Sequence, residues 1–352
     1  MWFASQTSRV EEDLRDTMKM HRNKQLTIGY VVLLNTLFVF TTIQAQTPND
    51  DSLAEPSGVS SPSPLISATT LNSMMAGQAS IQLIDVGTDE KQYAQRHIPN
   101  AQFVHWIDDI IDPKSSERYN LAASAQMQHL LQRLGISNDD HIVLYDSFSS
   151  RLATRFYWSL KVYNHRKVSV LDGGLPGWVD QGGALSNKSK SQATSDYQIN
   201  QTNEAMSVDM AFVEKSLHDP NVALIDGRPM EQYSGEEPGK VFHTGKAHKL
   251  RGHIPGAVNV FWKDNFNADG TFKSKAELLA LYKQVGISTG APNTIVTYCN
   301  EGLHAAPPWF VLRELLGAKD VRVYDDSMSE WANSDRPMEQ SPSVQQKNDG
   351  NN

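Results

Sequence analysis

Short apolar runs alternate with stretches of helical spacing along most of this chain. Ile81–Asp85, His141–Tyr145, Val168–Asp172, Val222–Asp226, Thr294–Tyr298 and Val321–Asp325 are rich in Val, Ile, Leu and Tyr. Near-continuous apolar runs of this length predict strands of a parallel sheet buried on both faces. Between them, residues 125–134, 151–162, 275–285 and 308–316 place apolar side chains at helical spacing. Alternating strands and helices imply right-handed crossovers, hence an α/β fold with a mainly parallel sheet covered by helices on both faces. Ligands of such sheets sit at the carboxyl ends of the strands. Asp226, Cys299 and Asp325 all follow predicted strand ends, so the fold should gather them on one rim.

The pattern occurs twice. Ile81-Gln-Leu-Ile-Asp85 is repeated as Val222-Ala-Leu-Ile-Asp226, 141 residues later, and His97-Ile-Pro99 as His253-Ile-Pro255, 156 residues later. His141-Ile-Val-Leu-Tyr-Asp146 matches Thr294-Ile-Val-Thr-Tyr-Cys299 at 153, as Val168–Trp178 matches Val321–Trp331. The second copy therefore carries 15 extra residues between its Asp and its His-Ile-Pro, within 234–249. The first copy is placed at 65–180 and the second at 208–337, with a polar connection over 181–207 and a disordered polar tail over 338–352.

Ahead of the repeat, 46–64 is rich in Pro, Ser and Asp and reads as a flexible linker. Residues 1–45 are expected to be a signal peptide: His21, Arg22 and Lys24 precede an apolar run over 26–43, and Ala45 suits cleavage. Glu11, Glu12 and Asp13 do not fit that pattern, which places the start at Met18 or Met20. Gly29, Asn35, Thr36, Thr41 and Thr42 interrupt the run, and no basic cluster follows it. Cleavage is thus favoured over a membrane anchor, and the expectation is a periplasmic or secreted protein with no stable membrane insertion.

Composition narrows the chemistry. A net charge of −8 over 352 residues argues against nucleic acid as a partner. The single cysteine excludes an internal disulfide and a multi-cysteine metal site, and the eleven histidines show no H-x-x-x-H spacing. No metal or cofactor is expected. The cysteine itself, Cys299, sits where a strand ends, with Gly302 permitting a tight turn and Pro307 and Pro308 suiting a helix start. Facing the amides of that helix start, its thiol is expected to favour the thiolate. A lone cysteine is usually an inert core residue, but its repeat partner is Asp146, so the fold does not require a small apolar side chain there.

Four ordered motifs, Leu224-Ile-Asp-Gly-Arg228, Gly252-His-Ile-Pro-Gly-Ala257, Tyr298-Cys-Asn-Glu-Gly-Leu-His304 and Tyr324-Asp-Asp-Ser-Met-Ser-Glu-Trp331, resemble the tandem rhodanese family. These are sulfurtransferases of the thiosulfate and 3-mercaptopyruvate type. The resemblance covers about 64–337. It implies an inactive first domain, with Asp146 in the cysteine position, and a second domain whose Cys299 carries the sulfur as a persulfide. The partners implied are a small sulfur donor and a thiol or cyanide acceptor. Arg228 and the loop Asn300, Glu301, Gly302, Leu303 and His304 are the implied substrate-binding residues. His253 and Pro255 recur in the copy without a cysteine, which argues for a role in the fold. The loop departs from the family in reading Asn300-Glu301 where thiosulfate enzymes carry basic residues, so the donor stays open. A phosphatase on the same fold needs an arginine six residues after its cysteine, where this chain has Ala305. The remaining alternative is a non-catalytic sulfur-carrier module of the cell envelope.

Overall fold

A computed structural model describes residues 61–77, 80–115, 119–241, 244–288 and 290–341. The expected signal peptide, most of the following linker and the end of the tail lie outside the described residues. Among those described, no helix is long and apolar enough to cross a membrane.

Each copy forms a five-stranded, all-parallel sheet. In the first copy the strands are β1 (Leu65–Ile66), β2 (Ile81–Gly87), β3 (Gln102–His105), β4 (His141–Tyr145) and β5 (Val168–Leu171). Their order across the sheet is β1-β5-β4-β2-β3. The second copy repeats it as β6 (Ser207–Val208), β10 (Val321–Tyr324), β9 (Thr294–Tyr298), β7 (Val222–Asp226) and β8 (Val258–Asn259). The strands that precede Asp146 and Cys299 are thus central in their sheets. Both neighbours pair with them in parallel, Leu83 facing Val143 and Leu224 facing Val296. Being buried on both faces, these strands need the unbroken apolar runs seen in the sequence.

Six helices come first in chain order, α1 (Ala68–Ala76), α2 (Glu90–Gln95), α3 (Ser124–Arg133), α4 (Arg151–Val162) and α5 (Gly174–Asp180) in the first copy and α6 (Met210–Ser216), the repeat partner of α1, in the second. Four more follow: α7 (Met230–Ser234), α8 (Lys275–Gln284), α9 (Ala306–Phe310) and α10 (Ser327–Trp331). The helical run expected over 308–316 starts earlier, at Ala306, and widens into a π-turn over Val311–Leu315 before Gly317 (φ +81°) ends it.

The recurring His-Ile-Pro motif has the same job in both copies. His97 stacks on Tyr93 and bonds its carbonyl through Nδ1 at 2.7 Å; His253 does the same with Tyr233, also at 2.7 Å. The next amide, of Ile98 or Ile254, donates to the hydroxyl of Tyr145 or Tyr298 at the end of the central strand. The motif locks the loop after the helix to the sheet rim, independently of the cysteine.

Two polar stretches, one expected to connect the copies and the other to be disordered, are packed. Residues 181–207 form a strap along the first copy: Tyr197 is buried and bonds His165, and Gln132 and Asn138 bind the strap's carbonyls. Met338–Ser341 does not begin a free tail either, because Glu339 pairs with His253 through both backbone bonds. In each case tertiary contacts satisfy a polar backbone that local sequence leaves uncommitted.

The copies share one apolar core that includes Phe156 and Trp158 of α4 and Trp309 and Phe310 of α9. Tyr157 meets Phe310 edge-on at 4.9 Å. Polar contacts across the junction are quasi-symmetric. Asp325 Oδ2 accepts from the Leu121 amide, and its repeat partner Asp172 accepts through Oδ1 from the Phe272 amide, each at 2.8 Å.

The copies differ at the aspartate after the first long strand. Asp226 is held by Arg228, whereas Asp85 has Gly87 at the matching position and no guanidinium. Burial pushes the Asp85 carboxyl up to about 7, against the lowering effect of its Tyr145 hydrogen bond and with a further push from Asp146. A folded-state value above the unfolded one means that Asp85 contributes its full stability at low pH. That contribution fades as pH rises toward 7. Asp85→Asn should therefore match wild type near pH 4 in urea unfolding and exceed it by about 2–4 kcal/mol above pH 7. A constant difference across that window would contradict this account.

Candidate active site

Cys299 is the first residue beyond β9, and the turn that follows it curls back over its sulfur. The Glu301 amide donates to Sγ at 3.4 Å, and the amides of His304 and Ala305 also face it. Three donors aimed at one sulfur form a nest suited to negative charge. The turn closes because Gly302 adopts φ +82°, and a Cβ there would stand 2.3 Å from Asp325 Oδ1. Leu303–Ala305 forms one 3₁₀ turn that feeds α9.

Ser327 holds this turn from below. Its Oγ accepts from the Cys299 amide (3.1 Å) and the Gly302 amide (3.2 Å) and donates to the Tyr324 carbonyl (2.8 Å). The Met328 and Ser329 amides then donate to the carbonyls of Cys299 and Asn300. Ser327 has φ +51°, a left-handed conformation that side chains other than Gly and Asn rarely adopt. The matching residue of the first copy is Gly174, at φ +55°. A serine kept where the repeat partner is glycine was a sequence signal for this role, and the motif alone did not reveal it.

In the first copy the same turn is filled by a side chain of its own. Asp146 is fully buried and its carboxylate accepts from the amides of Phe148, Ser150, Leu152 and Ala153, at 2.7–3.0 Å. Phe148 and Leu152 are the repeat partners of Glu301 and Ala305. The nest is thus occupied by the chain's own carboxyl group, and the first copy offers no sulfur site.

The expected thiolate is not the resting form. Cys299 is only 2% exposed, and burial pushes its thiol up to about 11; the three amides pull it down and Glu301 adds to the rise. Desolvation outweighs the nest as long as water is shut out. Two features shut it out. Leu303 is buried against the core, and Gly239 and His248 of the extra segment lie against Asn300. There, His248 Nε2 meets Asn300 Oδ1 at 3.2 Å, while Asn300 Nδ2 donates to Gln232 at 2.9 Å. A Cβ on Gly239 would stand 2.7 Å from Asn300 Oδ1 and 3.1 Å from Arg228 Nη1, so the segment packs tightly. Burial, partly offset by Asn300 and reinforced by Arg228, depresses His248 to about 4 and keeps it neutral at physiological pH.

The remaining sequence-selected residues group around this centre. Arg228 is 1% exposed and forks onto Asp226 through Nε and Nη2, with Nη2 also donating to the Gly252 carbonyl. Its Nη1 lies beside Gly239, 3.1 Å from where a Cβ on that residue would stand. Glu301 is buried within the turn. His304 lies flat on Trp262, with ring centroids 4.8 Å apart and planes 8° from parallel. Burial, with Arg151 and Lys263 nearby, holds its imidazole well below the usual range, so it is neutral. Its Nε2 has no hydrogen-bond partner among the described residues. Arg151, which matches His304 in the repeat, reaches across from the first copy to lie over Trp262 and Phe148. Among the described residues, no group of three or more His, Cys, Asp or Glu side chains could hold a metal ion.

Comparison with known proteins agrees with this architecture. The family model for the rhodanese-like domain matches residues 67–181 and again 209–334. The chain belongs to the rhodanese family. It is a tandem rhodanese and a sulfurtransferase. It is 34% identical over 252 residues to a protein of Mycobacterium bovis named putative thiosulfate sulfurtransferase 1, covering 71% of this chain and 88% of that one. It is 33% identical over 256 residues to the sulfur carrier protein TtuD of Thermus thermophilus, covering 72% and 88%. Among solved structures, SseA of Escherichia coli, described as a 3-mercaptopyruvate sulfotransferase, superposes with a TM-score of 0.65 at 26% identity. That match spans 76% of this chain and 100% of SseA. Both rhodanese copies are therefore included in the likeness.

The dependence of the rhodanese turn on Ser327 is testable. Ser327→Ala leaves two buried amides without an acceptor and should cost about 1–3 kcal/mol in urea unfolding. An unchanged unfolding midpoint would show that the hydroxyl is not what holds the turn.

Proposed function

We propose that Cys299 carries a sulfane sulfur between a small anionic donor and a thiophilic acceptor, with thiosulfate or 3-mercaptopyruvate as the donor. The nest of three amides around an otherwise buried Sγ supports this reading. With thiosulfate, the Cys299 thiolate attacks the outer sulfur, the S–S bond of the donor breaks, and sulfite leaves with the electron pair. Cys299 then holds a persulfide anion, to which the amides of Glu301, His304 and Ala305 donate. Cyanide, or a thiolate, attacks the terminal sulfur and regenerates the Cys299 thiolate, releasing thiocyanate or a new persulfide. Two displacements through a covalent intermediate predict ping-pong kinetics.

The first displacement requires the thiolate. Burial is the largest cause of the raised thiol, so admitting a donor and water past Asn300 and His248 removes the largest barrier to ionisation and leaves the amides dominant. We read Arg228, through Nη1, and the neutral His304 as the side chains that meet the donor's anionic end. Asn300 and Leu303 act through the closure of the site.

Steady-state thiocyanate formation should give parallel double-reciprocal lines with either donor, and Cys299→Ser should lower it at least about 10³-fold. Intact mass of wild type after donor alone should show one added sulfur. Persulfide without turnover would point to a carrier, and a Cys299→Ser variant as active as wild type would sink both readings.

Glu301 raises the thiol, so its removal should help. Glu301→Gln is expected to move the rising limb of the pH–rate profile to lower pH and to raise kcat/KM for thiosulfate at neutral pH roughly threefold to tenfold. A profile that stays in place would show that the Glu301 charge does not act on Cys299.

The basic, apolar and small-residue order before Ala45 supports export, and we read the mature protein as periplasmic or secreted, free of the membrane after cleavage. Cell fractionation with N-terminal sequencing tests this; an intact Met1 on the mature chain would overturn it.

A further inference from the structure

The first rhodanese copy has no sulfur site, yet a charged side chain of it, besides Arg151, packs against the catalytic turn of the second. Arg155, in the middle of α4, is fully buried. Its Nη1 donates to Asp325 Oδ1 at 2.5 Å and its Nη2 to the Tyr119 carbonyl at 2.7 Å, while its guanidinium lies 4.5 Å from the Trp158 ring centroid. Asp325 is the residue against which Gly302 turns. A Cβ on Gly302 would stand 2.3 Å from Asp325 Oδ1 and 3.1 Å from Arg155 Nη1. The Arg155–Asp325 pair therefore forms a wall of the Cys299 turn at Gly302, beside the Ser327 hydroxyl that holds the Cys299 and Gly302 amides.

We propose that Arg155 is a positioning residue for sulfur transfer: through Asp325 it holds the Gly302 turn closed, so that the amides of Glu301, His304 and Ala305 converge on Cys299. The inactive copy is in this sense part of the active site. The inference rests on the reading of Cys299 as the sulfur carrier.

Three observations separate this from an ordinary buried ion pair. The repeat partner of Arg155 is Pro308, so the fold accepts an apolar residue at this place in the helix. Asp172, the repeat partner of Asp325, makes its own cross-junction bond to the Phe272 amide with no arginine, so the junction itself does not need one. Finally, the arrangement is expensive. Arg155 Nε has no hydrogen-bond partner in its buried position. Replacing a buried ion pair with apolar residues is commonly neutral or stabilising, so stability alone is a weak reason to keep it.

The test uses the full chain with Arg155→Met, Arg155→Gln, Arg155→Lys and, as a junction control, Asp172→Asn. Persulfide loading by thiosulfate and by 3-mercaptopyruvate is read by intact mass, steady-state thiocyanate formation gives kcat and KM, and each thermal midpoint is recorded. Arg155→Met is expected to lower kcat roughly 10- to 100-fold with KM within about twofold, since a displaced turn misplaces donors that act in the transition state. Its pH–rate profile should shift to higher pH, because amides that no longer converge stabilise the thiolate less. Arg155→Lys, which keeps a cation beside Asp325, should recover most of the shift, and Arg155→Gln, which does not, is the variant to read if Arg155→Met does not fold. Asp172→Asn should leave kcat and the pH profile at wild-type values even where its midpoint drops. Equal loss of activity in Asp172→Asn and Arg155→Met, or an unshifted pH profile in Arg155→Met (in Arg155→Gln where Arg155→Met does not fold), would overturn the proposal while leaving Cys299 as the carrier. Failure of wild type to load sulfur from either donor would overturn the sulfur-transfer reading, and the role of Arg155 with it.

Discussion

A central parallel strand that ends inside the protein leaves the amides of the following turn without partners, and this constraint shapes both rhodanese copies. Buried N–H groups must find acceptors. The first copy meets the demand with a carboxylate: Asp146 takes four amides and leaves nothing to react. The second divides the demand between the sulfur of Cys299 and the hydroxyl of Ser327. A neutral thiol is a weak acceptor, so the second turn is under-satisfied until a negative charge forms at Cys299. Reactivity at this site follows from the same backbone accounting that silences the other.

The closing elements make that arrangement conditional. The extra segment over Asn300 and the apolar contact of Leu303 keep the sulfur dry, and a dry thiol stays protonated. From the other side, Asp325 and Arg155 confine the Gly302 turn. The site combines a flank that must open for a donor with one that is rigidly braced, the second being built across the junction of the two copies. Arg228, engaged with Asp226 and Gly252, ties the strand end to the loop before His253 and so supports the same rim.

Much of this could be read from residue order. The repeat, its six buried strands, the alignment of Asp146 with Cys299, the turn at Gly302 and the structural role of His253 follow from apolar runs and self-comparison. What escaped the reading depends on distance in sequence. The ionisation of Cys299 is decided by desolvation, which is set partly by Gly239 and His248, more than 50 positions away, and cannot be inferred from a neighbouring helix start. Ser327 left a visible trace in its exchange with Gly174, but the trace has meaning only when both residues are known to have positive φ. Arg155 sits in a helix otherwise recognisable by its apolar face, and its target lies in the other copy. The strap over 181–207 and the Glu339–His253 pairing are polar segments whose order comes wholly from what they lie against.

The paired differences at Asp146/Cys299 and Gly174/Ser327 bear on how such a duplicated protein can diverge. Introducing a thiol at position 146 would return a nucleophile to the first turn but not the hydroxyl beneath it, and a serine at 174 would have to occupy the space where a Cβ falls 2.2 Å from the Asp146 carbonyl. The backbone of the first turn has settled closer to its floor than that of the second. The difference in chemistry between the copies therefore lies in main-chain geometry as well as in side-chain identity, so a point substitution at 146 alone would not reproduce the second copy's turn.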